Sequence, residues 1–82
     1  MKTGILKALS DGTRLKLLKR IGEGEVCACL LPAHVRTSQP AVSQHLKVLL
    51  SAKLVGVRKE GAKRLYSTTA RGRRVLNDIK RW

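Results

Sequence analysis

A mainly α-helical fold carrying one two-stranded β-hairpin is predicted by three features of this 82-residue chain. Apolar residues recur at helical spacing up to residue 51. Two β-prone runs then flank a glycine-containing turn, and helical spacing returns from residue 69 to the last residue. Nothing repeats, and no low-complexity linker interrupts the chain, so residues 1–82 read as one domain.

The first element is a short helix carrying Ile5, Leu6 and Leu9. It is closed by the Ser10-Asp11-Gly12 break, where Ser10 or Asp11 can cap the helix that follows. In that second helix Leu15, Leu18 and Ile21 form an inward stripe, with Arg14, Lys16, Lys19 and Arg20 outside, until Gly22 and Gly24 stop it. The segment from Glu25 to Val35 is short and apolar and contains Pro32. Ser38 to Ser51 form the most informative helix. Ser38 can accept a hydrogen bond from the free N–H groups of the first turn, and Pro40 falls where a missing N–H costs little. Val42, Leu46, Leu49 and Leu50 share one face, while Gln44, Lys47 and Ser51 lie nearly opposite with Ser43 on the flank.

Leu54 to Lys59 and Lys63 to Thr68 follow as a hairpin around Glu60-Gly61-Ala62. Thr68 or Thr69 then caps a last helix that places Val75, Leu76, Ile79 and Trp82 on one face. That face can cover the core of its own subunit, or join the first helix in pairing two protomers; a homodimer through the terminal helices is expected. Helix, tight turn, helix, then a basic hairpin is the order of a winged helix-turn-helix.

Charge gives this layout a partner. Lys and Arg number 18 against 5 Asp and Glu, a net charge of +13. Residues 1–35 carry six cations and three acids, whereas residues 36–82 carry twelve and two. So uneven an excess calls for a polyanion, and double-stranded DNA fits. The major groove admits one helix, and the amide of a Gln can pair with adenine. Thr37, Ser38, Gln39, Ser43, Gln44, His45 and Lys47 are therefore the candidate residues at the groove. Arg58, Lys59, Lys63 and Arg64 are the candidates for the sugar-phosphate backbone. An ordinary solvated helix and a charged hairpin protected against edge pairing would carry similar residues; the net charge favours DNA. His45 stands at the edge of the packed face, where a structural hydrogen bond or a phosphate contact suits it better than a metal. A dimer would hold two such helices roughly 34–36 Å apart and require a near-palindromic target.

Other classes fare worse. Membrane binding would need a broad apolar or aromatic helix face, and Tyr66 and Trp82 are the only aromatics. No apolar run reaches spanning length and no leader pattern opens the chain, which points to the cytoplasm. Cys27 and Cys29, one residue apart, are poorly placed for a structural disulfide and better suited to reduced thiols. The chain has no His-Glu-x-x-His motif, no phosphate-binding glycine loop, no well-spaced carboxylate pair and no CxxC, so an enzyme is not expected and no cofactor is required.

Over nearly its whole length the chain resembles the ArsR/SmtB family of winged-helix repressors, bacterial and archaeal metal sensors. Four stretches carry the resemblance: Ala8-Leu9-Ser10-Asp11 through Thr13-Arg14-Leu15; Glu25-Val26-Cys27-Ala28-Cys29-Leu30-Leu31, similar to the family's ELCVCDL metal box; Ser38-Gln39-Pro40 through His45-Leu46; and Arg58, Glu60-Gly61 and Tyr66 in the wing. The resemblance implies a dimeric repressor that leaves its operator when an inducer binds. The sensing half departs from the pattern. Pro32 stands where arsenite-type members place a third thiol, Leu30 replaces the usual Asp of the box, and Gly12 replaces a common Pro. The family's C-terminal carboxylate and His site is absent, because residues 69–82 hold no His and only Asp78 as a carboxylate.

Whether Cys27 and Cys29 can act together depends on the backbone. In a helix their side chains would point about 200° apart, whereas in an extended segment they share a face. Pro32 disfavours α geometry at Leu31 and suits a first helical position, which would leave residues 27–29 outside the helix. Three readings stay open: capture of a soft thiophilic metal or metalloid with a third donor such as His34, a thiol redox switch, or two small buried apolar residues.

Overall fold

The computed structural model describes residues 11–80; the first predicted helix, with Ile5, Leu6 and Leu9, and the predicted Trp82 contact lie outside the described residues. Helix α1 spans Gly12–Gly22 and starts at Asp11, whose carboxylate accepts the Thr13 N–H at 2.8 Å. Of the two caps expected, Asp11 is the one used. Leu17, Leu18 and Ile21 are buried, while Leu15 is only half-buried. The inward stripe is therefore centred nearer Leu17 than the spacing suggested, because this helix packs against α3, α4 and the sheet together.

After α1 come strand β1 (Val26–Cys27), a 3₁₀ turn (Ala28–Leu30) and the short helix α2 (Leu31–Val35). Leu31 is helical (φ −72°, ψ −38°) despite preceding Pro32. Its complete burial outweighs the mild disfavour that a following proline imposes. Residues 27–29 do lie outside an α-helix, as expected. Arg36 turns the chain in the left-handed region (φ 54°), and Thr37 fastens the turn: its N–H donates to Pro32 O and its hydroxyl to Val35 O, both at 3.1 Å.

Helix α3 (Gln39–Ser51) follows, with Ser38 Oγ accepting the Ala41 N–H at 3.4 Å. Val42, Leu46 and Leu49 are buried, and Leu50 is half-buried. The helix ends in a Schellman motif: Leu54 N–H reaches Leu49 O at 3.1 Å and Lys53 N–H reaches Leu50 O at 2.9 Å, with Lys53 left-handed at φ 60°.

Strands β2 (Val55–Glu60) and β3 (Lys63–Thr68) pair in antiparallel register from Val55↔Thr68 to Glu60↔Lys63. Glu60 thus belongs to the ladder, leaving Gly61-Ala62 as a two-residue loop whose tightness requires the positive φ of Gly61 (61°). A third strand joins the predicted two: β1 pairs with β3 through Val26↔Tyr66 and Cys27↔Leu65, giving the order β1-β3-β2.

Helix α4 (Ala70–Lys80) is capped by Thr69, whose hydroxyl accepts the Gly72 N–H at 3.0 Å and donates to Lys53 O at 2.7 Å. A side chain at Gly72 would collide with the Leu54 carbonyl, so glycine is what lets α4 dock here. Val75 is buried, and Leu76 and Ile79 pack against the same core, so this face is spent largely on its own subunit. The core gathers Leu17, Leu18, Ile21, Leu31, Leu49 and Leu54 from α1, α2, α3 and the start of the wing. The architecture is a winged helix-turn-helix. No helix of the described residues is long and apolar enough to cross a membrane.

Candidate nucleic-acid interface

Burying Val42, Leu46 and Leu49 fixes how α3 is rolled, and that roll decides what solvent meets. Gln44 and Lys47 are exposed on the far side, Gln39 and Ser43 are exposed on the flank beside Leu46, and Ser38 is exposed at the N-terminal end. An amide, a hydroxyl and an ammonium on one helix surface supply both donors and acceptors to a groove. Thr37 and His45 differ from the others. Thr37 is half-buried with its hydroxyl turned back onto Val35 O, so it shapes the turn. His45 is half-buried, near enough to Asp11 for its charge to be felt there. The Asp11 carboxyl is held below the usual carboxylate range chiefly by the Thr13 N–H it accepts, with Arg14 and His45 adding smaller effects.

In the wing, Lys59, Lys63 and Arg64 are exposed, and none of them makes an ion pair among the described residues. Arg58 does not stand with them. Its Nε and Nη2 donate to the two carboxylate oxygens of Glu25 at 2.7 and 2.8 Å, and its Nη1 donates to Glu60 Oε2 at 2.9 Å. The guanidinium is engaged by two carboxylates while its side chain stays exposed. Glu25 responds in kind: the Arg58 hydrogen bonds hold its carboxyl below the usual range, and Arg58 itself is pushed up. Alternation along β2 puts Arg58 and Glu60 on one face and could have shown that pair; Glu25 lies 33 residues away, and only the fold brings it there.

The thiols also depart from expectation. Cys27 and Cys29 are joined as a disulfide, so the expectation of reduced thiols is corrected. A one-residue spacing disfavours the bond only while the segment keeps one regular conformation. The chain instead leaves the extended state at Cys27 (φ −68°, ψ 134°) and tightens into a 3₁₀ turn, bringing Cα atoms to 5.2 Å, within the ordinary disulfide range. The Cys29 N–H also points at Cys27 Sγ, at 3.3 Å. Cys27 is half-buried and Cys29 exposed, which leaves the bond open to small reagents.

No group of three or more His, Cys, Asp or Glu positioned to hold a metal ion occurs among the described residues, and His34 does not complete one with the thiols. A reduced pair would offer two sulfur donors, which falls short of a closed site.

These parts converge. A cleft of about 550 Å³ is bounded by Cys27 and Cys29, by Ser43 and Lys47 of α3, and by Lys59 and Arg64 of the wing. No local signal in the sequence places thiols, helix and wing together. Arg36, exposed at the turn into α3, is a further cation that went unassigned.

Residues 11–57 match the family model for bacterial regulatory proteins of the arsR family. The chain is 44% identical over 75 residues to the arsenical resistance operon repressor of Staphylococcus aureus, covering 92% of this chain and 69% of that repressor. Among solved structures it resembles NolR from Sinorhizobium fredii, with a TM-score of 0.86 and 29% identity over 95% of this chain and 79% of NolR. It also resembles the homodimeric winged helix-turn-helix DNA-binding domain from Mycobacterium bovis, with a TM-score of 0.85 and 26% identity over 94% of this chain and 72% of that one.

Proposed function

The chain belongs to the arsR family of bacterial regulatory proteins and is a DNA-binding transcriptional regulator, not an enzyme; from that premise we propose a specific mode of action. A cytoplasmic homodimer sets two α3 helices into successive major grooves of a near-palindromic operator. Ser38, Gln39, Ser43, Gln44 and Lys47 face the bases and flanking phosphates, and Lys59, Lys63 and Arg64 rest on the backbone. Arg36 joins the phosphate contacts. Thr37 and His45 act from behind, by holding the turn and the helix in place.

The observation that carries this reading is the exposed surface of Gln39, Ser43, Gln44 and Lys47, held outward because Val42, Leu46 and Leu49 are buried. Repression is relieved at Cys27 and Cys29. A two-electron oxidant such as a peroxide takes two electrons and two protons from the two thiols, leaving a disulfide and water, or water and an alcohol, and this alters the wall of the cleft that α3 and the wing share. A second reading is favoured by the arsenical resistance repressor of Staphylococcus aureus: the reduced pair captures a thiophilic metal or metalloid, with a further donor from a partner protomer or a small thiol.

Fluorescence anisotropy on duplex from the chain's own promoter, against a shuffled duplex at the same salt, tests the core of this. A regulator prefers its operator by at least ~10³-fold. Equal affinity for both duplexes would instead indicate a protein that coats DNA. Cys27→Ser and Cys29→Ser variants whose operator release by oxidants and soft metals is unchanged would remove the pair from sensing.

A further inference from the structure

Arg58, engaged by two carboxylates, sits where the thiol strand meets the wing. The sheet register makes Cys27 and Arg58 the two neighbours of Leu65, one on β1 and one on β2, so all three project from the same face. Glu25, two residues before Cys27, reaches across that face to the guanidinium, and Glu60 grips it from the wing tip. Strand β1 is held to β3 by only two residue pairs, whereas β2 and β3 are paired over six. Val26 anchors β1 in the core, and the forked Arg58 contact to Glu25 adds a side-chain tie that reaches from the start of β1 across β3 to β2.

We propose that the Glu25–Arg58–Glu60 clasp transmits the state of Cys27 and Cys29 to the wing, making Arg58 a positioning residue that sets how strongly the thiols control DNA affinity. This rests on the reading that the thiol pair is the input. A shift of β1 when the Cys27–Cys29 bond forms or breaks is carried through Glu25 to Arg58, and so to the neighbouring wing cations Lys59 and Lys63. Without the clasp the same shift stays within β1. In the reductive direction a dithiol delivers two electrons and two protons to the two sulfurs, yielding two thiols and its own cyclic disulfide.

The test measures promoter-DNA affinity by anisotropy over a salt series. It uses the full chain in its dithiothreitol-reduced and diamide-oxidised forms, with free thiols counted in each. Wild type, Arg58→Gln, Glu25→Gln and the swapped pair Glu25→Arg with Arg58→Glu are compared. The wild-type affinities of the two forms should differ by a factor in the usual range for coupled sites, roughly 5–150. In Arg58→Gln and Glu25→Gln this factor should fall towards one while the thiols still cycle and the salt slope is unchanged; the swapped pair should restore part of it. A factor kept at the wild-type value in both single variants overturns the clasp. So does a salt slope reduced by about one with equal losses in both forms, which is the behaviour of a phosphate contact. A wild-type factor of one, with thiol counts proving that both forms were made, instead overturns the thiol input itself and leaves the clasp nothing to transmit.

Discussion

Helix α3 and the segment from Glu25 to Leu31, through its Cys27 to Cys29, meet at one cleft, yet their roles are written differently. What α3 presents follows from its own thirteen residues and the Ser38 cap before them: an apolar row and a polar row. What Glu25 to Leu31 present follows from residues elsewhere, because β1 acquires its strand from Leu65 and Tyr66 and Glu25 its partner from Arg58. The lesson is that a face fixed by local periodicity suits constant recognition. A segment whose shape is borrowed from the wing can change when its chemistry changes.

The strongest way to break this comparison is through the buried row of α3. Leu49→Ala should lower stability by about 2–5 kcal/mol, read by urea or thermal unfolding, since Leu49 is fully buried and its truncation removes core contacts. A loss within 0.5 kcal/mol would mean the roll of α3 is not set by that row. Next comes the exposed row: Gln44→Ala should lose ~1–3 kcal/mol of discrimination between operator and altered bases, with fold stability unchanged, as measured by competition binding. Smaller again is the contrast within the wing. Lys63→Ala should weaken all duplexes alike and flatten the salt slope by about one unit; Arg58→Gln should leave the slope where it is.

The smallest effect is acid sensitivity of the borrowed segment. Glu25 has its folded pKa lowered by Arg58, so its contribution is complete above the ordinary value of 4.5 and disappears as pH falls through the depressed one. The melting-temperature gap between wild type and Glu25→Gln should therefore hold steady above pH 4.5 and shrink below it. Because these groups are solvent-exposed, the gap itself should be modest. A gap that widens in acid would show that Glu25 is not held by Arg58.

Much of this was legible in the residues. Ser38, Pro40 and the spacing of Val42, Leu46 and Leu49 define α3 before any coordinates, and Gly61 defines the wing turn. Asp11 and Thr69 cap the helices the sequence assigned to them. Strand β1 was not legible, since two residues carry no period and its partner lies some forty positions on. Nor was the fate of Arg58, which looks like its neighbour Lys59 until Glu25 is folded against it. Leu31 shows the limit of a local rule, because burial overrode the proline beside it. Leu17 rather than Leu15 faces inward for a similar reason: several elements share the surface of α1.

Leu54 fixes one further property. Its N–H closes the end of α3, its carbonyl takes the Thr69 N–H, and Gly72 is pressed against it, so one residue knots the recognition rod, the hairpin and the final helix. The base of the hairpin is thus tethered to the end of the rod. Where a duplex has to bend or narrow to meet both, its stiffness, base step by base step, becomes part of what is selected at positions no side chain reaches.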